Sequence, residues 1–312
     1  MSPTEPFFSY SEWLKHRFSG KLQKLPIDAG FTCPNRDGTK ATGGCVFCNN
    51  KAFNTSYCDS SHSISRQIEN GKKFYADKYP DMKYLAYFQA YSNTYAPVEV
   101  LRQRFEEALA AEDVVGIIIA TRPDCVNEEK LDYIGTLSTR SFVMMEYGIE
   151  STFDSTLRRI NRGHDFACTV NAMNETARRR IITCGHTILG LPGEDEHMML
   201  EQARALSQLP IDVLKIHQLQ IIRGTTLANE FSSGLVAYPF ADVEAYISLL
   251  VSFIRRLRPT IALERFVSQC PNGLLIAPKW GVKNQLFNQR LKENMQRNGY
   301  RQGDLYDSQM KG

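Results

Sequence analysis

Residues 21–48 read KLQKLPIDAGFTCPNRDGTKATGGCVFC. The run from Lys21 to Ile27 has strand character and passes directly into a segment punctuated by Gly30, Pro34, Gly38, Gly43 and Gly44. Three cysteines therefore stand just beyond a strand. Eleven residues separate Cys33 from Cys45 and two separate Cys45 from Cys48, with Phe47 immediately before the last thiol. The close pair can bind one centre through adjacent turns of a loop, and the long excursion returns Cys33 to it. Thiolates are the soft ligands that iron–sulfur clusters take, and three of them on a four-iron cluster leave one iron open to another ligand. Two other readings attach to the same residues. A closed zinc site needs a fourth ligand, for which Cys58 and His62 are the candidates, neither at a zinc-ribbon spacing. A redox CxxC accounts for Cys45 and Cys48 but leaves Cys33 unexplained.

Working outward, further strand-like runs follow at Lys83 to Gln89, Val114 to Ala120, Phe142 to Ile149, Ile181 to Leu189 and Val213 to Ile221. Helical periodicity separates them over Ile64 to Lys78, Val98 to Ala111, Glu128 to Leu137, Phe166 to Arg180 and Asp195 to Leu209, with Asp242 to Leu257 after the last strand. Six strands alternating with helices make parallel βαβ units, and right-handed crossovers curl such a series into a barrel or part of one. A closed eight-stranded barrel lacks two units. The expected fold class is α/β, a partial barrel of six βα units over residues 21–260. Residues 1–20, with the amphipathic Trp13, Leu14, Arg17 and Phe18, form an N-terminal extension. Residues 261–312 form a basic C-terminal helical extension that packs on the barrel through LLIAPKW and a helix near Lys283 to Arg297.

A chain of 312 residues, 43% hydrophobic and 23% charged, is long enough for one large domain and argues against disorder. Its most apolar run, Val114 to Ala120, falls far short of the ~20 residues that span a bilayer. The opening MSPTEPFFSYSEW lacks the basic start and apolar core of a secretory signal, so the expected location is the cytoplasm. In that reducing compartment eight cysteines are not expected to form disulfides. Cys58, Cys125, Cys168, Cys184 and Cys270 are each isolated, which supports no second cluster. The net charge of +3 is unevenly spread, since Arg265 to Gly312 holds eight Lys or Arg against three Asp or Glu. Such a tail is either a solvated helix face or a surface for RNA.

FTCPNRDGTKATGGCVFCNNKAFN, with ATRPDCV, EYGIES, LRRINRGH and HTILGLPGE, resembles the YhcC/YtqA-like branch of the radical S-adenosylmethionine (SAM) superfamily. It is similar, more distantly, to the radical SAM domain of Elongator's catalytic subunit. The usual superfamily signature has three and then two residues between its cysteines, and the eleven-residue first gap is a feature of this branch. The resemblance implies that Cys33, Cys45 and Cys48 hold a four-iron four-sulfur (4Fe-4S) cluster, with SAM across the C-terminal ends of the strands. Glu150 then matches a polar residue that contacts the SAM ribose, Arg162 an arginine on its carboxylate side, and His186 a ribose-contacting position. Gln89 and Tyr91, in QAYSNTYAP, occupy the place of the glycine-rich segment whose backbone meets the SAM ammonium. Lys51 is read as solvent-facing or as a positive charge beside the cluster. The implied chemistry is reductive cleavage of SAM to a 5′-deoxyadenosyl radical, with a flavodoxin or ferredoxin as reductant; no catalytic residue is assigned. The implied substrate extends to tRNA wobble uridine, against a small metabolite or, in a different class, a zinc-stabilised RNA-binding protein without catalysis.

Overall fold

The computed structural model describes residues 5–49, 55, 57–75, 82–268, 270–271 and 273–306. The strands are β1 (Leu22–Ile27), β2 (Lys83–Phe88), β3 (Val114–Thr121), β4 (Phe142–Glu150), β5 (Ile182–Leu189), β6 (Val213–Gln218), β7 (Ile221–Ile222), β8 (Ala262–Arg265) and β9 (Leu275–Ala277). The helices are α1 (Tyr10–Lys15), α2 (Ile64–Tyr75), α3 (Val98–Leu109), α4 (Glu128–Ser138), α5 (Asp154–Arg159), α6 (Phe166–Arg178), α7 (Glu196–Gln208), α8 (Thr226–Ser232), α9 (Val243–Arg256) and α10 (Asn284–Arg297).

Strands β1 to β6 and then β8 pair in sequence order, all parallel, as one seven-stranded curled sheet, while β7 and β9 form a separate antiparallel ribbon. The α/β partial barrel is thus the architecture, with one strand more than the six expected. The extra strand, ALER, is only four residues long with two charges, so no apolar run announces it. It lies in the segment read as the C-terminal extension. The single strand expected over Val213 to Ile221 is divided between β6 and β7.

Asn127, Asp165, Asp195 and Asp242 each accept a backbone N–H two or three residues into the helix that follows, which fixes where α4, α6, α7 and α9 begin. The outward face of the strands buries Leu25, Phe88, Ile117, Met145, Tyr147 and Leu214 against the surrounding helices, Leu25 beside Gly71 of α2 and Phe88 on Phe105 of α3.

The inward face is layered. At the N-terminal ends of the strands, Tyr10 and Trp13 of α1 pack on Leu85, Ile118, Met144, Val213 and Ala262, so the N-terminal extension plugs the barrel. Its backbone also joins the edge, where Leu263 N–H donates to the Phe8 carbonyl at 2.8 Å. The middle layer is charged. Lys215 Nζ lies 2.5 Å from Glu146 Oε2, 3.0 Å from Tyr87 Oη and 3.6 Å from Glu264 Oε1. Lys24 Nζ lies 2.6 Å from the same Glu264 oxygen. Because β1 and β8 are the two unpaired edges of the sheet, Lys24 and Glu264 form an ionic bridge across the barrel's open seam.

Burial disfavours the charge on Lys215, but Glu146 and Glu264 outweigh it and hold its pKa well above the ordinary value. Removing this cation leaves two buried carboxylates short of a partner, so Lys215→Met is expected to cost roughly 3–5 kcal/mol of stability. Urea unfolding measures it, and a loss below about 1 kcal/mol would show that the lumen tolerates the unpaired acids.

Candidate functional site

At the C-terminal end of the strands lies a cavity of about 220 Å³. Cys33, Cys45, Cys48, Gln89, Tyr91, Glu150, Arg162 and His186 all line it. Residues separated by up to 153 positions are thus brought to one cavity. Lys51 lies outside the described residues.

The cysteine loop is tied down by its own backbone. Arg36 N–H donates to the Cys33 carbonyl at 2.8 Å, Cys48 N–H to the Cys45 carbonyl at 2.9 Å, and Gly44 N–H to the Asn35 carbonyl at 2.8 Å. It is docked on the loop after α5, with Val46 N–H on the Ile160 carbonyl at 3.0 Å and Asn161 Nδ2 on the Gly44 carbonyl at 2.9 Å. Donors then converge on the sulfurs. Arg162 Nη1 is 3.6 Å and Asn35 Nδ2 3.7 Å from Cys45 Sγ. Arg36 Nη2 donates to the Cys48 carbonyl at 2.8 Å. Burial raises the Cys48 thiol's pKa, with the Cys45 thiol adding to the effect and Arg36 opposing it.

Glu150 is aimed by irregular backbone. The pairing of β4 with β5 slips after Gly148, which faces His186, so that Glu150 faces Thr187. Glu150 itself has φ 65°, and Tyr91 on the cavity lining at 60° and Asn161 in the loop beneath the cysteine segment at 54° share that left-handed conformation. Arg162 then reaches the Gly148 carbonyl and lies 3.5 Å from Glu150 Oε1, while His186 Nδ1 lies 3.3 Å from Glu150 Oε2. Gly148 permits this. A Cβ there would sit 2.5 Å from Glu150 Oε1 and 2.7 Å from Arg162 Nη2. Burial raises the Glu150 pKa, but His186 and Arg162 together hold it below the usual value.

Several participants were not singled out from sequence. Arg122 makes a two-point pair with Asp124, both contacts 2.8 Å, and donates to the Arg162 carbonyl at 2.7 Å. Glu146, Tyr87 and Lys215 carry the charged layer up to the cavity floor. Also on the lining, the His186 and His217 rings meet edge to face at 4.1 Å, and His217 Nδ1 is 2.7 Å from Ser268 Oγ. The signal for Lys215 and His217 was their spacing in VLKIHQ, two charges or dipoles on the inward face of an otherwise apolar strand. The GLPGE turn does not line the cavity. Its Gly190 is required by packing, since a Cβ would meet Pro239 at 2.6 Å.

The donor set suits an iron–sulfur cluster beside a zwitterionic ligand. Three sulfurs face the cavity with guanidinium and amide donors behind them. Around them, Arg162 Nε, Arg122 Nη1, Ser92 Oγ and His186 Nε2 are buried without a hydrogen-bond partner, and these are the groups a polar ligand satisfies. The zinc reading loses its fourth ligand, because Cys58 donates to the Pro26 carbonyl at 3.0 Å and neither it nor His62 lines the cavity. Glu146, Cys184 and Glu264 do cluster, but Lys215 and Lys24 already neutralise the two acids.

Behind the site, Ser151 Oγ donates to Glu194 Oε1 at 2.5 Å and Gln202 Nε2 to Glu194 Oε2 at 2.9 Å. Thr187 Oγ1, 3.3 Å from the Gln202 amide oxygen, donates to the Glu150 carbonyl at 3.1 Å.

Comparison with known proteins agrees with this geometry. The profile of the radical SAM superfamily matches residues 36–206 and that of the Radical_SAM C-terminal domain residues 211–297. The chain is 37% identical to YtqA of Bacillus subtilis, an uncharacterised protein, over 94% of this chain and 90% of that one. It is 35% identical to YhcC of Escherichia coli over 86% and 85%. Among solved structures, Elp3 of Methanocaldococcus infernus superposes with a TM-score of 0.68 at 15% identity, covering 91% of this chain and 65% of that one. Methylornithine synthase superposes at 0.51, with 14% identity, over 90% and 83%. These last two are likenesses of fold.

Burial pushes the Glu194 carboxyl up to about 7 despite its three side-chain donors, Ser151, Thr156 and Gln202. A raised acid binds its proton more tightly in the folded state, so stability should fall as pH rises from about 4.5 to about 7. Glu194→Gln should flatten this slope, which amounts to roughly 3 kcal/mol at most. Unfolding of the apoprotein at several pH values tests it, and an identical slope in the variant would exclude Glu194 as the source.

Proposed function

The chain belongs to the radical SAM superfamily, whose members bind a 4Fe-4S cluster and SAM, and from that membership we propose that Cys33, Cys45 and Cys48 hold the cluster here. It is an enzyme of that superfamily. The observation carrying the assignment is that these three sulfurs, alone among eight cysteines, face the cavity at the C-terminal end of the barrel. Loaded with both groups, the site supplies one-electron reductive cleavage of SAM and hydrogen abstraction from a substrate.

This chain's own residues bind and orient. Arg162 meets a carboxylate and stands by the Cys45 sulfur, Glu150 accepts from ribose hydroxyls, and His186 steadies Glu150 from the other side. Gln89 and Tyr91 bring backbone and side-chain groups to the ammonium end. The charged layer of Glu146, Lys215 and Tyr87 closes the floor, so water is excluded from below. The cytoplasm, with a flavodoxin or ferredoxin as electron donor, is the setting that suits three reduced thiols.

For the substrate we favour tRNA, modified at uridine 34. A tRNA uridine(34) acetyltransferase of Methanocaldococcus jannaschii is 23% identical over 59% of this chain and 33% of that protein. The basic C-terminal segment adds support. Lys279, Lys283 and Arg297 are exposed, whereas Arg290 pairs with Glu244 at 3.2 Å and Lys292 with Glu5 at 2.6 Å, so the first three are the better phosphate contacts.

Single Cys33→Ala, Cys45→Ala and Cys48→Ala variants are each expected to lose a properly formed cluster, and Cys125→Ala and Cys168→Ala to keep it. Iron and sulfide analysis of anaerobic protein decides this, and full iron content in the Cys33 variant would refute the ligand set. Glu150→Ala and Arg162→Ala should keep iron and lose SAM affinity by several-fold to a hundredfold, about 1–3 kcal/mol each.

The substrate is tested by mass spectrometry of tRNA nucleosides from cells with and without the gene. Loss of a modified wobble uridine is expected. Unchanged nucleosides, with no salt-sensitive tRNA binding by the pure protein, would direct attention to a small metabolite.

A further inference from the structure

Five cationic side chains line the cavity, and four have evident partners. Arg122 is held by Asp124, Arg162 by Glu150 and Cys45, and Lys215 by Glu146. Arg36 donates to the Cys48 carbonyl beside the sulfurs. Arg265 is different. Among the described residues no carboxylate lies within 4.0 Å of its guanidinium, and no hydrogen bond engages it.

Its direction is also irregular. Strands β6 and β8 pair Leu214 with Leu263 but Lys215 with Arg265, so two residues of β8 answer one step of β6. In regular alternation Arg265 would follow Leu263 to the helix side of the sheet. The bulge instead turns it, directly after inward Glu264, onto the cavity wall. Other groups on the lining are bonded to one another. Ser268 N–H donates to Gln218 Oε1 at 2.8 Å, Gln220 Nε2 donates to the Ser268 carbonyl at 3.0 Å, and His217 is tied to Ser268 Oγ at 2.7 Å.

A half-buried guanidinium without a counterion is costly unless a ligand supplies the anion, and its planar fork matches the paired oxygens of a phosphate or carboxylate. We propose that Arg265 is a specificity-determining residue that binds an oxyanion of the second substrate. The occupant is a phosphodiester if the RNA reading above holds, and on that reading alone does the choice of occupant rest.

The test uses cluster-loaded, SAM-bound protein as wild type, Arg265→Gln and Arg265→Lys, with calorimetric binding of two probes: a synthetic anticodon stem–loop with uridine at the wobble position, and inorganic phosphate. Arg265→Gln is expected to weaken stem–loop binding about ten- to hundredfold and to abolish phosphate binding, with Arg265→Lys between the two. Iron content and SAM affinity should match wild type in both variants. Arg265-dependent binding of phosphate by a protein that ignores the stem–loop would uphold the residue's role and reject RNA. Equal affinity of wild type and Arg265→Gln for both probes would overturn the proposal, whether or not RNA binds. So would a loss of SAM affinity as large as the loss of stem–loop affinity, which would make Arg265 a cofactor contact.

Discussion

An ammonium buried between two carboxylates organises this barrel. Lys215 reaches Glu146 at 2.5 Å and Glu264 at 3.6 Å, and taking such charges out of water carries a penalty of several kcal/mol per ion that only close pairing offsets. The pairing therefore constrains three strands at once, since Glu146 is on β4, Lys215 on β6 and Glu264 on β8. Through Lys24 it reaches β1 as well, so the two sheet edges are held together by charge where no backbone ladder joins them. Below this layer an apolar plug suffices. Above it, the strand ends can carry polar groups, because the floor they stand on is already satisfied.

Two breaks in strand pairing place Glu150 and Arg265 above that floor. The slip between Gly148 and Glu150 in β4 swings a carboxylate toward Arg162 and His186, and the bulge at Glu264 and Arg265 in β8 turns a guanidinium inward. A regular strand sends successive side chains to opposite faces. Glu150 and Arg265 both escape that rule, one with φ 65° and the other through a residue added against its partner strand. Local irregularity of this kind persists only when neighbouring structure over-determines it, as Gly148, Arg162 and the Thr187 hydroxyl do around Glu150.

These breaks also mark where reading the sequence stopped. The alternation of apolar runs with helical periodicity is a property of neighbouring residues, so the first six strands and the longer helices between them were legible, whereas the six-residue α5 was not. The cysteine spacing was legible for the same reason. Glu150, Arg162 and His186 became visible only through resemblance to relatives, because nothing local distinguishes a cavity-facing charge from a solvated one. β8 was missed since ALER has no apolar run, and its place in the barrel is fixed by contacts of Glu264 with Lys215 and of Leu263 with Phe8, 49 and 255 residues away. Glu146 and Lys215 lay within recognised strands, yet their partnership is a fact of barrel curvature, which periodicity does not encode.

The cavity is consequently divided by charge. One set of lining groups comprises three thiols with Arg36 and Arg162 beside them, each cation already engaged. The other carries His217, Gln218, Gln220 and Ser268, whose hydrogen bonds are spent on one another, and Arg265, whose are not. Paired charges orient a ligand without strongly selecting for its net charge, whereas an unpaired guanidinium in a partly desolvated wall discriminates, because a neutral substrate leaves it uncompensated. On the role proposed for Arg265, discrimination among substrates resides at the end of β8, and on the ligand set proposed for the cluster, the chemistry common to the superfamily resides in the cysteine loop.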